Sequence, residues 1–266
     1  MNFSHIIFDK SEGIATIALN RPDKLNAIGA RMCQEMSEAF DIIRNDGDIR
    51  IMALTGVGKG FCSGQDLGAT AQRLAKGVPR TSGATQLLRA AGWFGVEISQ
   101  IDKPTIAAVN GVAAGGGLSM ALACDIRIAS ERAKFGAVFV RRGLVLESAS
   151  SYFAPRVLGL PKALELYFTG DVIDATEAER IGIVNRVVPH KDLRAVSREL
   201  AIKIARNAPI SVGLTKRALY RGAEATDPTI ALEFEAAALS WCFATEDVKE
   251  GVQAFLGKRE PVFKGR

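Results

Sequence analysis

Short apolar runs recur along roughly the first 190 residues, separated by stretches with a helical period. HIIFDK, GIATIALN, IRIMALTG, TIAAVNG, DIRIAS and IVNRVVP are each of strand length and bounded by Gly, Pro, Asn or Ser. Between the second and third, Met32, Met36, Phe40 and Ile43 recur at i, i+4, i+8 and i+11, which is one face of a helix. Strands alternating with helices predict an α/β core over residues 1–190. After Pro189 only the helical period remains. Leu193, Val196, Leu200 and Ile204 mark one face, and Ile230, Phe234, Ala238 and Trp241 another, so residues 191–266 are expected to form a helical C-terminal subdomain. An appendage of about 75 residues buries little surface by itself, so its faces need the core or a second copy of the chain, and a homo-oligomer is expected.

The pattern breaks at two loops. Residues 60–67, GFCSGQDL, follow the strand IRIMALTG and precede a helical stretch. Gly64 allows a tight turn and Asp66 can cap the helix, which leaves the N–H of Gln65 as a free donor. Residues 110–117, NGVAAGGG, follow TIAAV and open a helix through Leu118, Ala121 and Leu122. Glycines there either admit a ligand to the unpaired N–H groups of a helix start, or let the helix pack closely on a strand. Two such loops suit an oxyanion, which needs two converging donors; losing one costs about 10² to 10³ in rate. Residues 69–85, ATAQRLAKGVPRTSGAT, are small, polar and cationic and read as a mobile flap beside a site.

Composition removes several classes. With 266 residues, 48% hydrophobic and 24% charged, the chain is neither disordered nor a disulfide scaffold. Cys33, Cys62, Cys124 and Cys242 lack C-x-x-C spacing and there is no leader pattern, so reduced thiols in a cytoplasmic protein are expected. No apolar run is long enough for a membrane span. The net charge of +5 is spread among acids, which disfavours nucleic acid and suits a small polyanionic ligand. His5 and His190 offer few places for a His-dependent triad. There is no phosphate-binding glycine motif and no H-E-x-x-H or comparable ligand cluster, so neither a nucleotide site nor a metal is expected.

RPDKLNAI, FCSGQDL, KPTIAAVNGVAAGGG, ACDIRIAS, KFG, GLVLESASSY and TEAERIGIVNRVV, in this order, resemble the crotonase, or enoyl-CoA hydratase and isomerase, superfamily from about Ile14 to Phe263. The resemblance implies an α/β spiral of β-β-α units with a helical C-terminal subdomain, assembled as trimers or dimers of trimers. It also implies an acyl-CoA substrate, no cofactor beyond the coenzyme A that the substrate carries, and oxyanion donors at the N–H groups of Gln65 and Gly116. Coenzyme A would then lie against Lys24, Leu25, Ala27, Ser63, Asp66 and Leu67. Phe255 and Lys258, in the C-terminal FxxK, resemble the element a neighbouring subunit lends to the adenine and its phosphate.

The departures from the family are informative. The two glutamates that its hydratases use fall on Ser119 and Phe139. Glu147 instead resembles the position used by Δ3,Δ2-enoyl-CoA isomerases, although taken alone it reads as an acid in a helix's first turn. It follows Gly143-Leu144-Val145-Leu146, and desolvation by such neighbours is expected to raise its pKa. The resulting expectation is double-bond isomerisation by a single glutamate acid/base. The alternatives are a 2-enoyl-CoA hydratase with rearranged acids and a non-catalytic acyl-CoA-binding protein, which fold and family do not separate.

Overall fold

The computed structural model describes residues 3–75 and 92–266. In chain order the strands are β1 (Ile6–Ser11), β2 (Ile14–Leu19), β3 (Ile51–Gly56), β4 (Gly60–Cys62), β5 (Thr105–Val109), β6 (Val112–Ala114), β7 (Ile126–Ser130), β8 (Lys134–Gly136), β9 (Val172–Asp174) and β10 (Arg186–Val188). The helices are α1 (Ala30–Asn45), α2 (Leu67–Ala75), α3 (Phe94–Ser99), α4 (Gly116–Ala123), α5 (Ser150–Leu158), α6 (Leu160–Thr169), α7 (Ala175–Arg180), α8 (Leu193–Ala205), α9 (Pro209–Glu224), α10 (Pro228–Phe243) and α11 (Glu246–Leu256).

The six apolar runs form one sheet in the order β1-β2-β3-β5-β7-β10, parallel except for the antiparallel β1–β2 pair. Continuous apolar runs suit parallel strands covered on both faces. On one face the sheet packs on Met32, Met36, Phe40 and Ile43 of α1, all fully buried, as their spacing predicts. On the other, Ile14, Ile51, Ile106, Ile128 and Val188 meet Leu193, Ala201 and Ala205 of α8. The first helix after Pro189 therefore completes the core. The remaining helices are less covered: α10 has no buried residue, and Ile230, Leu232, Leu239, Trp241 and Phe243 are exposed.

A second sheet, β4-β6-β8-β9, is built from three-residue strands inside and beside the glycine loops. The pairs β3/β4, β5/β6 and β7/β8 each send one strand to the first sheet and the next to the second. This is the spiral that the resemblance implies. Helix α9 is tied to the core by Asp125, which accepts from Lys216 Nζ at 2.8 Å and Tyr220 Oη at 2.8 Å while bonding the Thr105 N–H at 2.7 Å. Of the stretch read as a flap, residues 69–75 continue α2, and residues 76–85 lie outside the described residues. Among the described residues no helix is long and apolar enough to cross a membrane.

Candidate active site

The segment RPDKLNAI makes a tight corner. A 3-10 turn over Pro22–Lys24 is followed by Leu25 and Asn26 in the left-handed region, at φ 48° and 57°. Asparagine tolerates that conformation better than most residues, and here its fully buried side chain repays the strain. Its Oδ1 accepts from the Arg21 N–H at 2.8 Å, and its Nδ2 donates to the carbonyls of Val57 at 3.0 Å and Gly60 at 2.8 Å. The corner is thereby fastened to the start of β4.

Arg21 fastens it at a second point, donating to Ala27 O at 2.7 Å and to Asp66 Oδ2 at 2.9 Å. Asp66 Oδ1 accepts from Gly68 N at 3.1 Å, the helix cap its position predicts, and Lys24 Nζ lies 3.5 Å from Oδ2. Ser63 N donates to Leu25 O at 3.0 Å, and Ser63 Oγ to Lys24 O at 3.3 Å. Lys24, Leu25, Ala27, Ser63, Asp66 and Leu67 thus form one cluster, with Lys24, Leu25 and Leu67 exposed. Phe255 and Lys258 are at the end of α11, where Phe255 is 83% exposed. Among the described residues no hydrogen bond or ion pair joins them to the cluster.

Ile28 bridges to Gln65 as in a parallel ladder: its N–H donates to Gly64 O at 2.8 Å and its carbonyl accepts from Asp66 N at 2.9 Å. This geometry turns the N–H of Gln65 to the opposite side, where it has no acceptor among the described residues. Gly64, at φ 89°, brings the two loops together; a Cβ there would lie 2.7 Å from Ala114 O and 3.3 Å from Gly116 N. Gly116 is the first residue of α4, so its N–H has no partner within the helix. The glycines of this run face different surroundings. A side chain at Gly117 would overlap the carbonyl of Cys62, which is close packing, whereas Gly116 faces Glu147.

A Cβ on Gly116 would lie 3.0 Å from Glu147 Oε1, 3.2 Å from Ile28 Cδ1 and 3.4 Å from Phe94 Cζ. Glu147 Oε2 accepts from Gln65 Nε2 at 2.8 Å. Burial pushes the Glu147 carboxyl up to about 7, against the opposing pull of the Gln65 hydrogen bond. The expected source of this desolvation needs correcting. Leu144 and Val145 are 49% and 81% exposed and only Leu146 of that stretch packs on the core, while Ile28 Cδ1 and Phe94 Cζ approach the same Gly116 position that Glu147 Oε1 approaches. Ser148 and Ala149 follow at φ 58° and 59°, a conformation that costs on the order of 1 to 3 kcal/mol per residue and that only the surrounding packing holds.

Neither residue at the hydratase positions offers an acid. Ser119 is fully buried; its Oγ pairs with Ser150 Oγ and lies 3.3 Å from Glu147 O, while Ser150 N donates to that same carbonyl at 3.0 Å. Phe139 is buried and stacks on Tyr167, with ring centroids 6.1 Å apart and planes 15° apart. The two serines hold the Glu147 backbone from behind. Reading the sequence did not single out Arg21, Asn26, Phe94, Ser150 or the side chain of Gln65. For Gln65 the available signal was a long amide in a loop of small residues; for Ser150 there was none.

Two backbone N–H groups without acceptors among the described residues, those of Gln65 and Gly116, are thus brought close by Gly64, and a carboxyl that burial raises to about 7 adjoins Gly116. The donors can hold a developing negative charge on oxygen, and the acid can take and return a proton at neutral pH. Donors and an acid so arranged on a β-β-α spiral fit a class of acyl-thioester enzyme. The family model described as enoyl-CoA hydratase/isomerase matches residues 9–266, and the chain belongs to that family. It is 38% identical over 265 residues to a short-chain-enoyl-CoA hydratase of Clostridium acetobutylicum, covering 98% of this chain and 97% of that one. It is 34% identical to the 1,2-epoxyphenylacetyl-CoA isomerase of Escherichia coli, covering 98% of each. A crystal structure of an enoyl-CoA hydratase from Bacillus anthracis superposes with a TM-score of 0.89 at 34% identity, over 99% of this chain and 100% of the other.

Proposed function

We propose that this enzyme moves the double bond of an enoyl-CoA, with Glu147 as its single acid and base. The observation that carries this reading is the position of Glu147 Oε1, 3.0 Å from where a Cβ on Gly116 would lie, at a residue whose N–H has no acceptor among the described residues. In the proposed reaction the thioester oxygen accepts from the N–H groups of Gln65 and Gly116. Glu147 removes a proton from C2 of a 3-enoyl-CoA, the C2 electron pair delocalises into a dienolate, and the same proton returns at C4. One carboxyl between two carbons of one conjugated system is enough. The coenzyme A moiety lies along Lys24, Leu25, Ala27, Ser63, Asp66 and Leu67. Phe255 and Lys258 serve the adenine of a neighbouring subunit within a trimer or a dimer of trimers.

Hydration of a 2-enoyl-CoA is the second reading, favoured by relatives named short-chain-enoyl-CoA hydratase and crotonyl-CoA hydratase, both 38% identical. It would require Glu147 to orient and deprotonate water unaided, since Ser119 and Phe139 are buried and carry no acid. Assays with 2-enoyl, 3-enoyl and aromatic acyl-CoA esters decide between the two. Isomerisation of 3-enoyl-CoA is expected, falling by roughly 10² to 10⁴ in Glu147→Gln. Rapid hydration of 2-enoyl-CoA with no action on 3-enoyl-CoA would replace the isomerase reading. Free coenzyme A at millimolar concentration should raise Tm in wild type and Glu147→Gln alike, because ligand bound only to the folded state stabilises it. No shift in either would remove the acyl-CoA assignment.

A further inference from the structure

The side chain of Gln65 makes a contact that its proposed role as a backbone donor does not require. Its amide reaches 82 positions along the chain to place Nε2 at 2.8 Å from Glu147 Oε2. An amide nitrogen donates and cannot accept. The oxygen it holds is thereby disfavoured as the site of the acidic proton, because a hydroxyl oxygen is a poorer acceptor for this bond than a carbonyl or carboxylate oxygen. We infer that Gln65 is a positioning residue that reserves Glu147 Oε1, the oxygen beside Gly116, as the atom that takes and returns the substrate proton. This rests on Glu147 being the acid/base.

The geometry makes the two carboxylate oxygens inequivalent. Oε2 is tied to the first loop, whereas Oε1 lies 3.0 Å from where a Gly116 Cβ would be and has no hydrogen-bond donor among the described residues. A carboxyl free to rotate about its last bond would present either oxygen and would spend part of its time with the proton on the wrong side. One charge-assisted hydrogen bond removes that freedom. Because Gln65 also carries an unpaired N–H, one residue sets both the position of the thioester oxygen and the orientation of the base. Any shift of this loop moves the two together.

The groups around Glu147 leave Gln65 as its specific polar partner. The titratable neighbours are Cys33 on α1 and Cys62 on β4, whose thiols burial pushes up, Cys62 to about 12, so both are neutral at physiological pH. Glu97 on α3, which neighbours Cys33, accepts from Ser37 Oγ at 2.9 and 3.0 Å. Ser119 and Ser150 bond the backbone carbonyl of Glu147 and not its carboxyl. Among the described residues no cation contacts Glu147. Losing the amide therefore removes the one interaction that offsets desolvation, and the proton should be held more tightly.

The test is Gln65→Ala, which keeps the backbone N–H, compared with wild type and with Glu147→Gln as the spectroscopic blank. The carboxylic C=O stretch lost in Glu147→Gln is followed by infrared difference spectroscopy against pH, with no substrate present. In wild type this band should titrate near 7, and in Gln65→Ala its midpoint should move to higher pH. With 3-hexenoyl-CoA, or whichever panel ester the wild type turns over, kcat of Gln65→Ala at pH 7 should fall roughly tenfold with KM little changed, the deficit narrowing as pH rises. Gln65→Asn, which is one methylene too short, should resemble the alanine variant. An unmoved infrared midpoint, or a loss of kcat that is equal at every pH, would reduce Gln65 to packing and overturn the inference. If instead Glu147→Gln is fully active, it is the acid/base assignment that fails.

Discussion

Gly64 and Gly116, 52 positions apart in the chain, approach so closely that a methyl group on the first would sit 3.3 Å from the backbone nitrogen of the second. This contact aligns the two loops, and Gly64 makes it with a left-handed backbone at φ 89°. Gly64→Ala is therefore expected to be penalised twice, by conformation and by its approach to Ala114 O. The expected result is a Tm lower by several degrees and a kcat lower by roughly 10-fold to 100-fold, since misplacing one donor weakens the hold on an oxyanion. Unchanged kinetics in a folded Gly64→Ala protein would show that the loop contact does not set the site.

Glu147 should weaken the fold that it serves. Its carboxyl is raised from 4.5 to about 7, so the folded state binds the proton more tightly than the unfolded state does. Between those values stability declines as pH rises. Glu147→Gln should accordingly raise Tm at pH 8, with the gain shrinking toward pH 4.5. Calorimetry at both pH values measures it, and a destabilised variant at pH 8 would contradict this account of the raised pKa.

Glu35 presents the opposite case. Its fully buried carboxylate accepts from Ser4 N and Oγ, His5 N, Ile6 N and Arg31 Nε at 2.7 to 3.1 Å, which lowers its pKa to about 2 despite burial. Stability from this carboxylate is fully present above about 4.5 and is lost as pH falls toward 2. Glu35→Gln should lower Tm at pH 7, with the gap from wild type closing below pH 4.5. A constant gap across that range would assign the loss to shape alone.

Trp241 on α10 is 66% exposed, and Ile230, Leu232, Leu239 and Phe243 of the same helix are also uncovered. Apolar faces of this extent call for a partner surface. Light scattering should find a trimer or hexamer, and Leu239→Asp should shift the population to smaller species. An active monomer at micromolar concentration would remove both the assembly and the proposed contribution of Lys258 to a neighbour's site.

The sequence by itself determined the six strands of the larger sheet, because each run is of strand length, rich in aliphatic residues and bounded by Gly, Pro, Asn or Ser. It determined the buried face of α1, since spacing along a helix is local, and the family, since the motifs recur in a set order. β4 and β6 of the second sheet fall inside the two stretches read as loops, and β8 and β9 were not singled out, because three residues are too few to show alternation. Only the tertiary structure decided what surrounds Glu147. The preceding Leu144 and Val145 are exposed, while Ile28, Phe94, Gly116 and the Gln65 amide arrive from four other segments. Periodicity reports which side of an element is buried; desolvation of a single carboxyl depends on atoms that adjoin it only after the chain has closed its spiral.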